Sequence, residues 1–126
     1  MRIKNIIKEI KDIQTDDLRK VRIKAKNSCG GLIYPVIAIK TESTPSSLKV
    51  ILYGDFKYKT ESLNADFVLK SLEDIYDSND SRDVQVYLEL KTKYALPAKR
   101  MHINGYNGIH RYYNEIIIRG GPKVKD

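Results

Sequence analysis

The sequence predicts an α+β fold: a mostly antiparallel sheet of about five strands, with an N-terminal helix and a second helix packed on one face. Three observations predict it. Ile3, Ile6, Ile7, Ile10 and Ile13 recur at helical spacing and make one apolar stripe. Val21, Ile23 and Ala25 alternate with Arg22, Lys24 and Lys26, and Val84, Val86, Leu88 and Leu90 alternate with Gln85, Tyr87, Glu89 and Lys91, the period of half-buried strands. The strand-like runs before residue 54 are separated by short polar segments, as in an antiparallel meander. At 126 residues the chain fits one domain, 1–126, large enough to bury a core without disulfides or metal.

Taken in order, the isoleucine helix is followed by a polar stop at Thr15-Asp16-Asp17, and Val21 to Lys26 is a strand with a basic outer face. Asn27 to Gly31 reads as a turn, placing the single Cys29 in a loop. Leu32 to Lys40 is a second strand, apolar on both faces. Its Pro35 removes a ladder donor, so a bulge or irregular pairing is expected at Tyr34-Pro35. Thr41 to Ser47 reads as a loop and Leu48 to Tyr53 as a third strand, while Gly54 to Thr60 carries no decisive pattern. Asn64 can cap a second helix, with Ala65, Val68, Leu69, Leu72, Ile75 and Tyr76 on its buried stripe. Asp77 to Asp83 is an acidic loop that lacks the glycine and the final glutamate of a calcium loop. After the strand at Val84–Lys91 comes an irregular basic segment, and Tyr112 to Arg119 forms the last strand. Gly120-Gly121-Pro122 should break that strand, so residues 120–126 are expected to fray.

Charge is segregated along the chain. Residues 1–40 hold ten Lys/Arg and four acids, residues 41–90 five and ten, and residues 91–126 eight and two, within a net charge of +7. If the two basic ends meet in space they form one positive face, which attracts polyanions. One cysteine allows no internal disulfide, and no apolar run is long enough to span a bilayer. The chain is expected to be cytoplasmic, without membrane attachment. No phosphate loop, dinucleotide fingerprint, zinc spacing or nucleophile elbow occurs, so no cofactor or metal is expected.

The helix Ile6-Ile7-Lys8-Glu9-Ile10-Lys11-Asp12-Ile13, the strand Val21-Arg22-Ile23 and the run Tyr34-Pro35-Val36-Ile37-Ala38-Ile39 together resemble small uncharacterised accessory proteins of phages and mobile elements. The resemblance covers residues 3–53. It implies no specific activity, and it favours an accessory role such as inhibition of a host defence in the anti-CRISPR manner.

The segment from Tyr94 to Tyr113 lies outside that resemblance and concentrates the chemistry. Lys99, Arg100 and Arg111 can contact phosphates, and Tyr94, Tyr106, Tyr112 and Tyr113 offer faces for unpaired bases. Arg22, Lys24 and Lys26 can extend the same surface, and one of Tyr112 and Tyr113 should point inward. The expected function is a non-enzymatic basic binding protein whose partner is nucleic acid, a nucleoprotein or a nucleotide, with oligomerisation open. An alternative is a metal-independent ribonuclease. In it, His102 and His110 would face each other across a hairpin as acid and base, with Arg111 and Glu115 assisting. A third reading is a protein-interaction module that uses the acidic residues 61–83.

Overall fold

The computed structural model describes residues 1–13, 17–27, 31–58, 61–79, 83–94, 97–105 and 107–124. Thr15 and Asp16 of the predicted helix stop, residues 28–30 of the predicted turn with Cys29 among them, residues 80–82 of the acidic loop, and Tyr106 lie outside the described residues. Among the described residues, seven strands and two α-helices follow in chain order: α1 Ile3–Asp12, β1 Arg22–Lys26, β2 Ile33–Ser43, β3 Ser47–Asp55, α2 Ala65–Asp77, β4 Asp83–Lys91, β5 Lys99–Ile103, β6 Ile109–Tyr112 and β7 Glu115–Lys123.

The sheet is closed, which corrects the expected open, mostly antiparallel sheet of five strands. Around the barrel the order is β1-β2-β3-β4-β5-β7, and β7 pairs back onto β1, with β6 as the additional strand on β7. The pairing is mixed, because β1/β7 and β3/β4 are parallel while the other pairs are antiparallel. The parallel pair β3/β4 has a physical origin in the chain. Strands that run the same way need a long crossover, and α2 supplies it. The pair β1/β7 joins the two basic ends of the sequence, with Arg22 opposite Glu115, Lys24 opposite Ile117 and Lys26 opposite Arg119.

Two strands are shared between the halves of the barrel. The first residues of β2 pair with β1 and the rest with β3, with a register shift between Val36 and Ala38. The irregularity expected at Tyr34-Pro35 thus lies just after it. Where β1 and β2 part, the chain before α2 fills the seam. Ile23 N–H donates to the Leu63 carbonyl, Leu63 N–H to Val36, and Ala65 N–H to Val21. Strand β7 has β1 on one edge and β6 followed by β5 on the other. The loop between β5 and β6 is pinched opposite Arg119, whose carbonyl accepts from Asn104 N–H and whose N–H donates to the Gly108 carbonyl. The irregular basic segment is therefore one strand edge interrupted by a loop. Strand β7 also continues through Gly120-Gly121-Pro122 to Lys123, where fraying was expected. A side chain at Gly120 would run into Met101, and one at Gly121 would crowd the Asn104 backbone, so the two glycines permit a close strand approach.

The two helices pack on each other and complete the core of the barrel. Ile3, Ile6, Ile7 and Ile10 of α1 and Ala65, Val68, Leu69 and Leu72 of α2 join one core with Ile23, Val50, Leu52, Val86, Leu88, Ile116 and Ile118 from the strands. Burying one such side chain contributes about 1.5–3 kcal/mol. Asn64 caps α2 as the sequence indicates, its side-chain oxygen accepting from Phe67 N–H at 2.7 Å. The start of α1 is fixed to the sheet by Val86 N–H donating to the Met1 carbonyl and by an Arg2–Gln85 bridge. No helix among the described residues is long and apolar enough to cross a membrane.

Candidate nucleic-acid interface

Pleat alternation decides which side chains share a face. On β7, Ile116, Ile118 and Gly120 point into the core, so Glu115, Ile117 and Arg119 point out. The register then sets Arg22, Lys24 and Lys26 of β1 beside them, and His110 and Tyr112 of β6 on their other flank, opposite Ile117 and Glu115. One outer face thus carries four Lys/Arg side chains, one histidine, one tyrosine and one carboxylate. Ile117 is buried at its centre and Ile33 of β2 is exposed at its margin.

Two of its cations are partly engaged. Lys24 Nζ lies 3.7 Å from a Glu115 carboxylate oxygen, with only 15% of its side chain exposed. Arg22 donates from one guanidinium nitrogen to the Ser62 carbonyl at 3.1 Å while the residue remains exposed. Lys26 and Arg119, adjacent at the far end, are half-buried along their stems. Long basic side chains of this kind lay their methylenes on the sheet and keep the charge at the surface.

At the near end, Tyr113 and Asn114 connect β6 to β7. Tyr112 and Tyr113 are 57% and 78% exposed, so neither is the core residue that strand alternation led us to expect. Their rings meet edge to face with centroids 4.7 Å apart. Tyr113 has a φ of 55°, a left-handed conformation that a bulky residue rarely adopts. Arg111 Nε donates to its carbonyl at 2.8 Å and holds the turn. A strained backbone that displays an aromatic ring to solvent is a feature that stability alone does not favour.

The other sequence-derived residues lie elsewhere. Arg111 is exposed on the opposite pleat of β6, beside Ile116. The larger sheet of the barrel is formed by β2, β3, β4 and β5, and the smaller one by β1, β7 and β6. Arg100 projects from β5 onto the outer face of the larger sheet. There its guanidinium binds both oxygens of Glu42 at 2.8 and 2.7 Å and Glu89 at 3.1 Å. These bonds hold Arg100 above its ordinary pKa, and they pull Glu42 below the usual carboxylate range. Arg100 is thus already neutralised by carboxylates, and Lys99 beside it is exposed. Tyr94 is exposed after β4, far along the chain's path from β1.

His102 stacks at a tilt on Tyr87, with centroids 5.3 Å apart, on the larger sheet. His110 faces Ile117 on the smaller one. Because β5 and β6 follow each other along one edge of β7, the histidines stand four or five strand positions apart, about 13–17 Å. They do not face each other as hairpin arms. The structure sets His110 and Glu115 on one outer face, leaves Arg111 on the opposite pleat and separates His102 from all three. Among the described residues, no group of three or more His, Cys, Asp or Glu gathers to hold a metal.

The residue that sequence reasoning missed is Arg119. It was visible only as the last residue of the predicted strand Tyr112–Arg119, and the parallel β1/β7 register places it beside Lys26. Fold and face together define a small closed mixed barrel with one basic, tyrosine-edged outer surface. Searches against known protein families, curated proteins and solved structures find no match.

Proposed function

We propose that the protein is a non-enzymatic binder of single-stranded nucleic acid that uses the outer face of β1, β7 and β6. The observation that carries this reading is the parallel β1/β7 pairing, which gathers Arg22, Lys24, Lys26 and Arg119 from opposite ends of the sequence. Alternate residues on β1 stand about 6.6 Å apart, an interval that a flexible phosphate backbone can follow. Cations in such a row bind phosphates without regard to sequence. Tyr112 and Tyr113 at the end of the row give exposed rings on which unpaired bases stack. A cytoplasmic location suits a protein of this kind.

Fluorescence anisotropy with a labelled twenty-nucleotide oligothymidylate tests the proposal. Binding should weaken linearly on a log–log plot as sodium chloride rises from about 50 to about 300 mM. Absence of binding at about 100 μM protein in about 50 mM salt, or affinity that ignores salt, would overturn it.

A further inference from the structure

A cleft lies at the carboxyl ends of the parallel strands β3 and β4. The two loops leaving them enclose this cleft of about 520 Å³ lined by Asp55, Phe56, Lys57, Tyr58, Lys91, Thr92, Lys93 and Tyr94. The crevice beyond the carboxyl ends of parallel strands is where α/β units present their loops to ligands. Each loop here contributes the same pair, Lys57-Tyr58 and Lys93-Tyr94, with the lysine nitrogen 5.7 Å and 5.4 Å from the neighbouring ring centroid.

The described residues of both loops are held by hydrogen bonds. Asp55 accepts from Lys57 N–H at 3.0 Å, and Tyr58 N–H donates to the Asp55 carbonyl at 3.2 Å. Phe56 N–H donates to the Lys91 carbonyl at 3.1 Å, and its ring sits edge-on to Tyr34. In the other loop Tyr94 N–H donates to the Thr92 hydroxyl oxygen at 3.3 Å. Lys57, Lys91 and Lys93 are exposed and make no ion pair among the described residues. Asp55 is only 7% exposed, and among the described residues its second oxygen has one long contact, 3.4 Å from the Tyr53 hydroxyl. That oxygen retains capacity to accept from a hydroxyl or an amine.

We infer that this cleft binds a nucleoside polyphosphate. Tyr58 and Tyr94 take the base, Lys57, Lys91 and Lys93 take the phosphates, and Asp55 accepts from a sugar hydroxyl or a base amine. A polyphosphate carries enough negative charge to match three lysines, and the two rings supply stacking that a bare phosphate cannot use. The site does not share a residue with the β1/β7 face and does not depend on it.

Isothermal titration calorimetry of the full chain in about 100 mM sodium chloride tests the inference, using ATP, GTP, CTP, UTP and inorganic pyrophosphate. One-to-one binding of at least one triphosphate is expected, with pyrophosphate weaker by about tenfold because it lacks a base to stack. Lys57→Gln with Lys93→Gln should weaken the nucleotide by at least about tenfold. Tyr94→Leu should weaken the nucleotide and leave pyrophosphate unchanged. Competition by an oligonucleotide bearing a 5′-triphosphate, and not by its 5′-hydroxyl form, would assign the site to a strand end. Competition by free nucleotides alone would assign it to a soluble nucleotide. The inference is overturned if no triphosphate binds at about 1 mM, or if pyrophosphate binds as tightly as the nucleotides. It is equally overturned if Arg22→Gln, Lys26→Gln and Arg119→Gln together abolish the binding, which would place the ligand on the β1/β7 face.

Discussion

Replacing Arg22, Lys26 and Arg119 together by glutamine removes the three outer-face cations that, among the described residues, no carboxylate within 4.0 Å neutralises. Lys24 is left in place because Glu115 already faces it. Each phosphate contact on a single strand contributes about 0.7 to the salt slope, so three lost contacts flatten it by about 2. With the affinities converging near about 1 M salt, the difference grows to about a hundredfold at about 0.1 M. Anisotropy titrations of oligothymidylate at four salt concentrations measure both quantities. The matched control is Lys99→Gln with Arg100→Gln on the larger sheet. Arg100 spends its charge on Glu42 and Glu89, so this pair should change affinity by less than about threefold. A thermal melt of each variant confirms that the barrel persists. An unchanged slope in the triple variant, or an equal loss in the control pair, would refute the reasoning.

Other outcomes follow from the same packing. Ile118→Ala opens a cavity where β7 meets β1 and β6 and should cost about 2–5 kcal/mol in urea unfolding, and a loss below about 1 kcal/mol would contradict its place in the core. Gly108→Ala would drive a methyl group into the Asn104 carbonyl and should lower Tm clearly, whereas Gly105→Ala meets nothing within 4 Å and should leave it nearly unchanged; equal melting of the two variants would dismiss the pinched loop. Glu42 is held below its ordinary pKa by Arg100, so its contribution to stability is present above the usual carboxylate range and disappears as pH falls through its folded-state value. Carboxyl titration by NMR should show the Glu42 midpoint rising in Arg100→Gln, and an unmoved midpoint would count against the ion network.

Much of the local structure was legible because it depends on spacing alone. The isoleucine stripe of α1, the Asn64 cap and the alternation of β4 each declare themselves within one turn or a few strand residues. The closure of the barrel was not legible. The apolar run Ile116-Ile117-Ile118 says that a strand forms and nothing about its neighbour, and the neighbour is β1 at the other end of the chain. Strands β5 and β6 were hidden because they are short and because the segment from His102 to His110 reads as a hairpin. The structure instead pins Asn104 and Gly108 to Arg119. Gly120-Gly121 looked like a strand end, and its real role is to let Met101 and Asn104 come close.

The candidate sites divide in the same way. Arg22 and Lys24 were readable as the outer row of a strand. Arg100 was readable only as a cation, since its two carboxylate partners come from β2 and β4 and appear once the sheet is assembled. The Lys57-Tyr58 and Lys93-Tyr94 pairs look unrelated in sequence. They become neighbours because α2 carries the chain across so that β3 and β4 end side by side.

The central claim is that the β1/β7 pairing makes one nucleic-acid-binding face. Backbone amide chemical-shift mapping of the labelled protein with oligothymidylate tests it most directly. Perturbations confined to residues 22–26, 110–113 and 115–119 are the predicted result. A map centred on the outer face of the larger sheet, around Tyr87, Arg100 and His102, would contradict the claim.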